Sequence, residues 1–145
     1  MNLSELTPDI ALASLLDGKV EVRTSATKSH TIRAYAQAQQ PQTGLGDEFI
    51  SITANGAVRS ITRPLGIFRG NLALTLYCKT NSDGTAKRKR IASMIEQTVE
   101  IVNGKVTSGF YFELNLANVI TPTTVNLTNG YATTVLNVEW STVNE

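Results

Sequence analysis

Asn71-Leu72-Ala73-Leu74-Thr75-Leu76-Tyr77-Cys78-Lys79 is the stretch whose reading decides the fold. Successive side chains of a strand point to opposite faces, so Leu72, Leu74, Leu76 and Cys78 share one side and Ala73, Thr75, Tyr77 and Lys79 the other. That alternation predicts a strand with one buried face. Turn chemistry follows at Asn81-Ser82-Asp83-Gly84, and the period then changes. From Ala86 to Val102 the residues Ile91, Met94, Ile95, Thr98 and Val102 recur at the spacing of one helix face, with Asn103-Gly104 as the stop. Each element has only one apolar face to bury, and packing helix on sheet buries both.

Outward from this pair, Thr7-Pro8-Asp9 opens a short helix: Thr7 as the cap, Pro8 at the first helical position, Asp9 complementing the dipole. Ile10, Ala11, Leu12, Leu15 and Leu16 give it a broad apolar face, and Gly18 ends it. Lys19 to Thr24 reads as a strand, with Thr31 to Gln37 as its hairpin partner across the polar turn Thr24 to Ser29. Residues 37–47, with Pro41, Gly44, Gly46 and four glutamines, predict a flexible loop or arm too polar to bury itself. Glu48 to Thr53 predicts a strand, and Asn55-Gly56 a two-residue hairpin turn into Val58 to Thr62, with Pro64 and Gly66 breaking the ladder beyond. Further strands are expected at Phe110 to Leu116, Thr123 to Leu127 and, after the Asn129-Gly130 turn, Tyr131 to Thr142. The last puts Ala132, Thr134, Leu136, Val138 and Trp140 on one face. The expected architecture is α+β: a single domain over residues 1–145, a mostly antiparallel sheet packed by one long helix plus a short N-terminal helix.

Composition bounds the chemistry. With 145 residues, 41% hydrophobic and 17% charged, the chain has enough apolar content for one core and is unlike a disordered sequence. One Cys and one His are too few for a Cys/His zinc site or an internal disulfide. No window approaches the roughly 20 apolar residues of a membrane span, and Met1 to Asp17 lacks a secretory signal's basic start. A soluble domain without a membrane partner is therefore expected. No Gly-x-Ser-x-Gly elbow accompanies His30, which reads as a surface loop residue. Cys78 falls on the apolar register, as a small core residue. Asp47 and Glu48 are adjacent, so a strand points them to opposite faces rather than into one proton-transfer site. Phosphate-binding loop fingerprints are absent, and Ser82-Asp83-Gly84-Thr85 before the helix is only a weak anion signal. No catalytic residue, cofactor site or metal site is expected, and the chain does not read as an enzyme.

Charge is distributed unevenly. Four cations face six anions from Met1 to Glu48, eight cations face Asp83 alone from Phe49 to Ile95, and only Lys105 opposes five glutamates from Glu96 onward. Lys87-Arg88-Lys89-Arg90 stands in the first turn of a helix, where the dipole favours anions, and its members repel one another. Local stability did not select these four, so they are candidate interface residues. Three readings remain: a solvated face, a protein partner or a nucleic acid. At about 100° per residue, Lys87 and Arg88 are expected nearest the Ile91–Ile95 face, with Lys89 and Arg90 projecting away. Gln39, Gln40, Pro41 and Gln42 of the arm are the second candidate interface, ordered against a neighbouring subunit.

The succession of short helix, hairpin, loop, Glu48-Phe49-Ile50-Ser51-Ile52, Gly70-Asn71-Leu72-Ala73-Leu74-Thr75-Leu76-Tyr77, amphipathic helix and Thr134-Val135-Leu136-Asn137-Val138-Glu139-Trp140 resembles the tail-terminator or tail-completion proteins of tailed bacteriophages. The likeness covers most of the chain and lies in the order and length of elements, not in a diagnostic motif. It implies a structural virion protein, assembled in the host cytoplasm into a homo-oligomeric neck ring of six or twelve copies. Other neck and tail proteins, and DNA passing through the ring, would be its partners. The residues alone leave open a tail-tube protein and a nucleic-acid-binding accessory protein working through Lys87–Arg90.

Overall fold

Two long antiparallel strands form the middle of the sheet. In the computed structural model, which describes residues 6–56, 58–60, 67–114, 126–128 and 130–143, β6 (Phe68–Lys79) pairs with β10 (Tyr131–Thr142) from Lys79 opposite Tyr131 to Arg69 opposite Ser141. In chain order the other elements are α1 (Pro8–Leu16), β1 (Glu21–Arg23), β2 (Ser29–Thr31), β3 (Arg33–Ala36), β4 (Glu48–Ala54), β5 (Arg59–Ser60), α2 (Arg88–Val102), β7 (Lys105–Thr107), β8 (Phe110–Leu114) and β9 (Asn126–Thr128). The fold is α+β, with two helices and a mostly antiparallel, curled sheet ordered β3-β4-β6-β10-β8-β7. β5 adds to the outer edge of β6, and β9 to that of β10.

The register places Leu72, Leu74, Leu76, Val138, Leu136, Ile50 and Ile52 on one face, all buried. Ile91, Met94, Ile95, Thr98 and Val102 of α2 bury against that face, and the Thr98 hydroxyl donates to the Met94 carbonyl at 2.7 Å. One long helix does not cover the sheet alone. α2 runs for 15 residues and α1 for nine, and α1 lies on β3 and β4 while also touching α2. Ala34 and Ala36 are buried there, small enough for α1 to pack over them.

Three local expectations are corrected, and one strand is added. Thr7 makes no side-chain cap, although Pro8 and Asp9 open α1 as expected. The partner of β1 is β2, with Val22 opposite His30; the chain then leaves the hairpin, and β3 joins the main sheet parallel to β4. The Asp17 carboxylate drives this departure by accepting from the Arg33 Nε at 2.7 Å and the Ala34 N–H at 3.1 Å. Asn55-Gly56 is not a hairpin turn. Ala54 lies opposite Leu72 and Arg59 opposite Arg69, so β4 and β5 lie on the same edge of β6 with a bulge between them. The Asn55 N–H donates to the Asn71 carbonyl, and the Asn55, Asn137 and Asn71 side chains form an amide ladder that keeps the bulge on the sheet. The sequence reading also lacked β7, joined to β8 by a turn in which Ser108 and Gly109 both have positive φ, 52° and 80°. That pair of angles defines the turn type best matched to strand twist. Pro64, Gly66 and the expected strand residues 61–62, 115–116 and 123–125 lie outside the described residues.

Gly70 lies opposite Trp140, and a Cβ there would stand 2.9 Å from three atoms of the indole, which also packs edge-on to Phe110. Gly70→Ala must displace a buried tryptophan and should cost about 1–3 kcal/mol in urea denaturation. An unchanged midpoint and slope would mean that the indole repacks freely.

Candidate functional site

The N-terminal end of α2 and the β1–β2 hairpin enclose an open cleft of about 790 Å³. The hairpin is held there by a side chain that imitates a strand: Gln97 of α2 accepts from the Glu21 N–H at 2.8 Å and donates to the Glu21 carbonyl at 2.7 Å. The hairpin tip is shaped by Ser25, whose hydroxyl oxygen accepts from the Thr27 and Lys28 N–H groups. Glu21 and Arg23 line the cleft from the hairpin side, and Lys87, Arg88, Lys89 and Arg90 from the helix side, with Ser93 one turn further along. Lys87 occupies the helix cap position without a capping hydrogen bond, and no acid stands in the first turn, so the dipole's positive end is not offset.

Arg90 does not project outward as expected. It turns into the protein, 20% exposed, and its Nη1 donates to Glu48 Oε1 at 2.7 Å. Glu48 faces the helices because it lies opposite Cys78 in the register, and its side chain is 1% exposed. Its other oxygen lies 3.2 Å from Nε2 of His30, whose side chain is 47% exposed. His30 is therefore part of β2 and a hydrogen-bonding partner of a buried carboxylate, not a free loop residue. A carboxylate this deep is tolerable only because both oxygens are met. Asp47 points to the other side and lies 3.7 Å from Lys79 at the surface. Of the basic tetrad, Arg88 and Lys89 are exposed and Lys87 half-buried. These three and Arg23 have no ion-pair partner among the described residues.

The other sequence candidates lie elsewhere. None of Gln39, Gln40, Pro41 and Gln42 lines the basic cleft. Gln39 ends a single 3₁₀ turn, Gln37–Gln39, and borders a depression of about 260 Å³ beside α1. Pro41 and Gln42 are exposed, while Gln40 turns its side-chain oxygen inward without a hydrogen-bond partner. The far end of the arm is tied down where the Tyr131 hydroxyl donates to the Gly46 carbonyl at 2.8 Å. The Ser82–Thr85 turn is occupied by its own bonds. Asp83 accepts from the Thr85 N–H and hydroxyl, which holds its carboxyl below the usual range and places a negative charge where an anion would bind.

No protein-family model, curated protein or solved structure matches this chain. The site must therefore be read from its own geometry. Four unpaired cations converging on an open cleft suit a multiply charged anionic surface, held by charge and hydrogen bonds. Among the described residues, no aromatic ring lines the cleft to stack a base. Among the described residues, no group of three or more His, Cys, Asp and Glu side chains is placed to hold a metal ion, and no helix is long and apolar enough to cross a membrane. The Glu48 node and the Gln97 bridge escaped the sequence reading. Their partners are far apart in the chain, and nothing in local spacing couples Glu48 to Arg90 or Glu21 to Gln97.

Two outcomes are expected. Arg90→Ala leaves a buried carboxylate without its guanidinium and should destabilise the protein by about 3–5 kcal/mol in denaturant titration; a loss below about 1 kcal/mol would place the Glu48 charge in water. Burial pushes the Cys78 thiol from 9.0 up to about 11, with the Glu48 charge adding to the effect. The folded chain holds that proton more tightly than the unfolded one, so this contribution to stability is complete below about pH 9 and is lost as pH rises toward 11. Thiol-reagent labelling near neutral pH should be slow in native protein and immediate after denaturation, and rapid native labelling would refute the burial.

Proposed function

We propose that this chain is a structural subunit of a tailed-bacteriophage virion that assembles with copies of itself into a ring at the head–tail neck, in a terminator, completion or connector role. The observation that supports it most is the character of the sheet face that no described helix covers. Its central positions are Asn71, Ala73, Thr75 and Tyr77 on β6, Tyr131, Thr133, Val135 and Asn137 on β10, and Phe49, Ser51 and Thr53 on β4. None of these carries a charge. Phe49 stacks on Tyr77 at 4.3 Å between ring centroids and Tyr131 meets both edge-on; Phe49, Ser51 and Thr133 are buried, while Val135 is 45% exposed. Among the described residues the charges on this face are Arg33 at the β3 edge, Arg69 and Lys79 near the two ends of β6, and the neighbouring Glu139 and Glu113, with Glu139 opposite Asn71. A solvated antiparallel face ordinarily spreads charge across its middle. An uncharged, aromatic centre with a charged rim is the anatomy of a protein–protein interface.

The basic cleft favours a second reading, an accessory protein that binds a nucleic-acid backbone. The two readings separate by assembly. Multi-angle light scattering and negative-stain microscopy of the purified protein, at low salt over a wide concentration range, should give one discrete closed ring. A monomer throughout, with DNA affinity that falls steeply as salt rises, would overturn the ring in favour of the accessory protein.

A further inference from the structure

We infer that the basic cleft is the socket for a second copy of this chain, and that the plug is the exposed acidic pair Glu113 and Glu139 on the sheet face away from the helices. The inference rests on the self-assembly just proposed and names the surfaces that meet. Glu113 of β8 and Glu139 of β10 are directly opposite each other in the register, both exposed, on the side of the sheet away from the helices. Like charges in direct cross-strand opposition destabilise a sheet. Neither glutamate has an ion-pair partner among the described residues, so nothing described within the subunit offsets that repulsion.

The cleft has the converse defect. Arg23, Lys87, Arg88 and Lys89 converge on it with Glu21 as the one acid among its lining residues and with no ion pair among the described residues, while Arg90 is already committed to Glu48. The acids of α2 do not reach back: Glu96 is two helical turns beyond Lys89, about 10 Å along the axis. Each surface is thus electrostatically unsatisfied alone, and each supplies what the other lacks. Glu139 also borders the uncharged centre of the sheet face, so a copy seated there would cover Val135 and Asn137 in the same contact.

Position in the fold sets the symmetry. The cleft belongs to the helix side of the sheet and the acidic pair to the opposite side, so one two-fold contact cannot satisfy both patches. Socket-to-plug contact is heterologous, head to tail, and such a contact either closes into a ring or propagates as a filament. Two patches on opposite sides also mean that every copy in a closed ring is both donor and acceptor of charge.

A mixing experiment tests this. Arg88→Glu with Lys89→Glu, beside Glu21, outweighs the remaining Arg23 and Lys87 and makes the socket negative, and Glu113→Lys with Glu139→Lys reverses the plug; all four positions are exposed, and circular dichroism with thermal melting verifies folding. Neutral Gln replacements at the same positions serve if either reversed variant fails to fold. Each reversed variant alone should need about tenfold more protein than the unmodified chain to assemble at low salt. An equimolar mixture of the two should restore assembly, because the negative socket of one variant then faces the positive plug of the other; with the Gln variants, the expected result is weakened assembly by either and a flatter salt dependence. Normal assembly of either reversed variant alone, or no rescue on mixing, overturns the pairing. Loss of binding to a short DNA duplex with unchanged assembly assigns the cleft to nucleic acid and also overturns it. Failure of the unmodified chain to assemble at all defeats the ring itself, an outcome distinct from these.

Discussion

β6 and β10 lie side by side along almost their whole lengths, and the other strands of the main sheet build outward from the two outer edges of this pair, while β1 and β2 pair apart from it. The pairing aligns the apolar positions of both strands on one face, so Leu72 meets Val138 and Leu74 meets Leu136 without offset. A slip of one residue would turn every one of those side chains toward the opposite face. Gly70 fits into the same constraint, because Trp140 occupies the space a side chain would need. The edges are built alike: β4 and β5 share the outer edge of β6, and β8 and β9 share the outer edge of β10. A register fixed by so many apolar pairs leaves the other face rigidly displayed, and that rigidity allows Glu113 and Glu139 to be held opposite each other.

The second constraint is ionic. Glu48 is a charged residue on the buried face, and its carboxylate joins three separate elements: its own strand, α2 through Arg90 and the β1–β2 hairpin through His30. Such a node is a weak source of stability compared with an apolar replacement, but it is directional. It sets where the start of α2 lies relative to the hairpin, and together with Gln97 it fixes the two walls of the cleft. One basic residue of the tetrad is spent on architecture, and the others are left facing solvent.

Periodicity made much of this legible. The alternation of β6 and β10 and the face of α2 were readable residue by residue, because burial repeats every second residue in one and every three to four in the other. The apolar register also assigned Cys78 to the core. What escaped had no local signature. Asn55-Gly56 has hairpin chemistry, yet the edge of β6 was long enough to take both flanking strands, so tertiary pairing overrode the turn. β3 reads like a hairpin partner, but the Asp17 carboxylate and the underside of α1 bind it more favourably. In the candidate site the cations were visible as a run of residues and their placement was not. Arg90 was assigned outward by helical angle alone, a rule that ignores a buried carboxylate contributed by β4.

The central pairing has a kinetic consequence. Its partners are separated by roughly fifty to seventy residues of chain, and contacts that remote must overcome a large loop entropy before they are rewarded, which slows folding. α2, β7 and β8 all lie within that interval and can form beforehand, but they cannot complete the sheet without Tyr131–Thr142. During synthesis, the inner edge of β6 stays unpaired until that strand has left the ribosome. A strand edge waiting in this way is open to the wrong neighbour, and on a shared messenger the nearest one is another nascent β6. Under the proposed self-assembly, the uncharged centre of the sheet face and the slow final strand pull in opposite directions: the first rewards crowding of finished chains, and the second penalises crowding of unfinished ones.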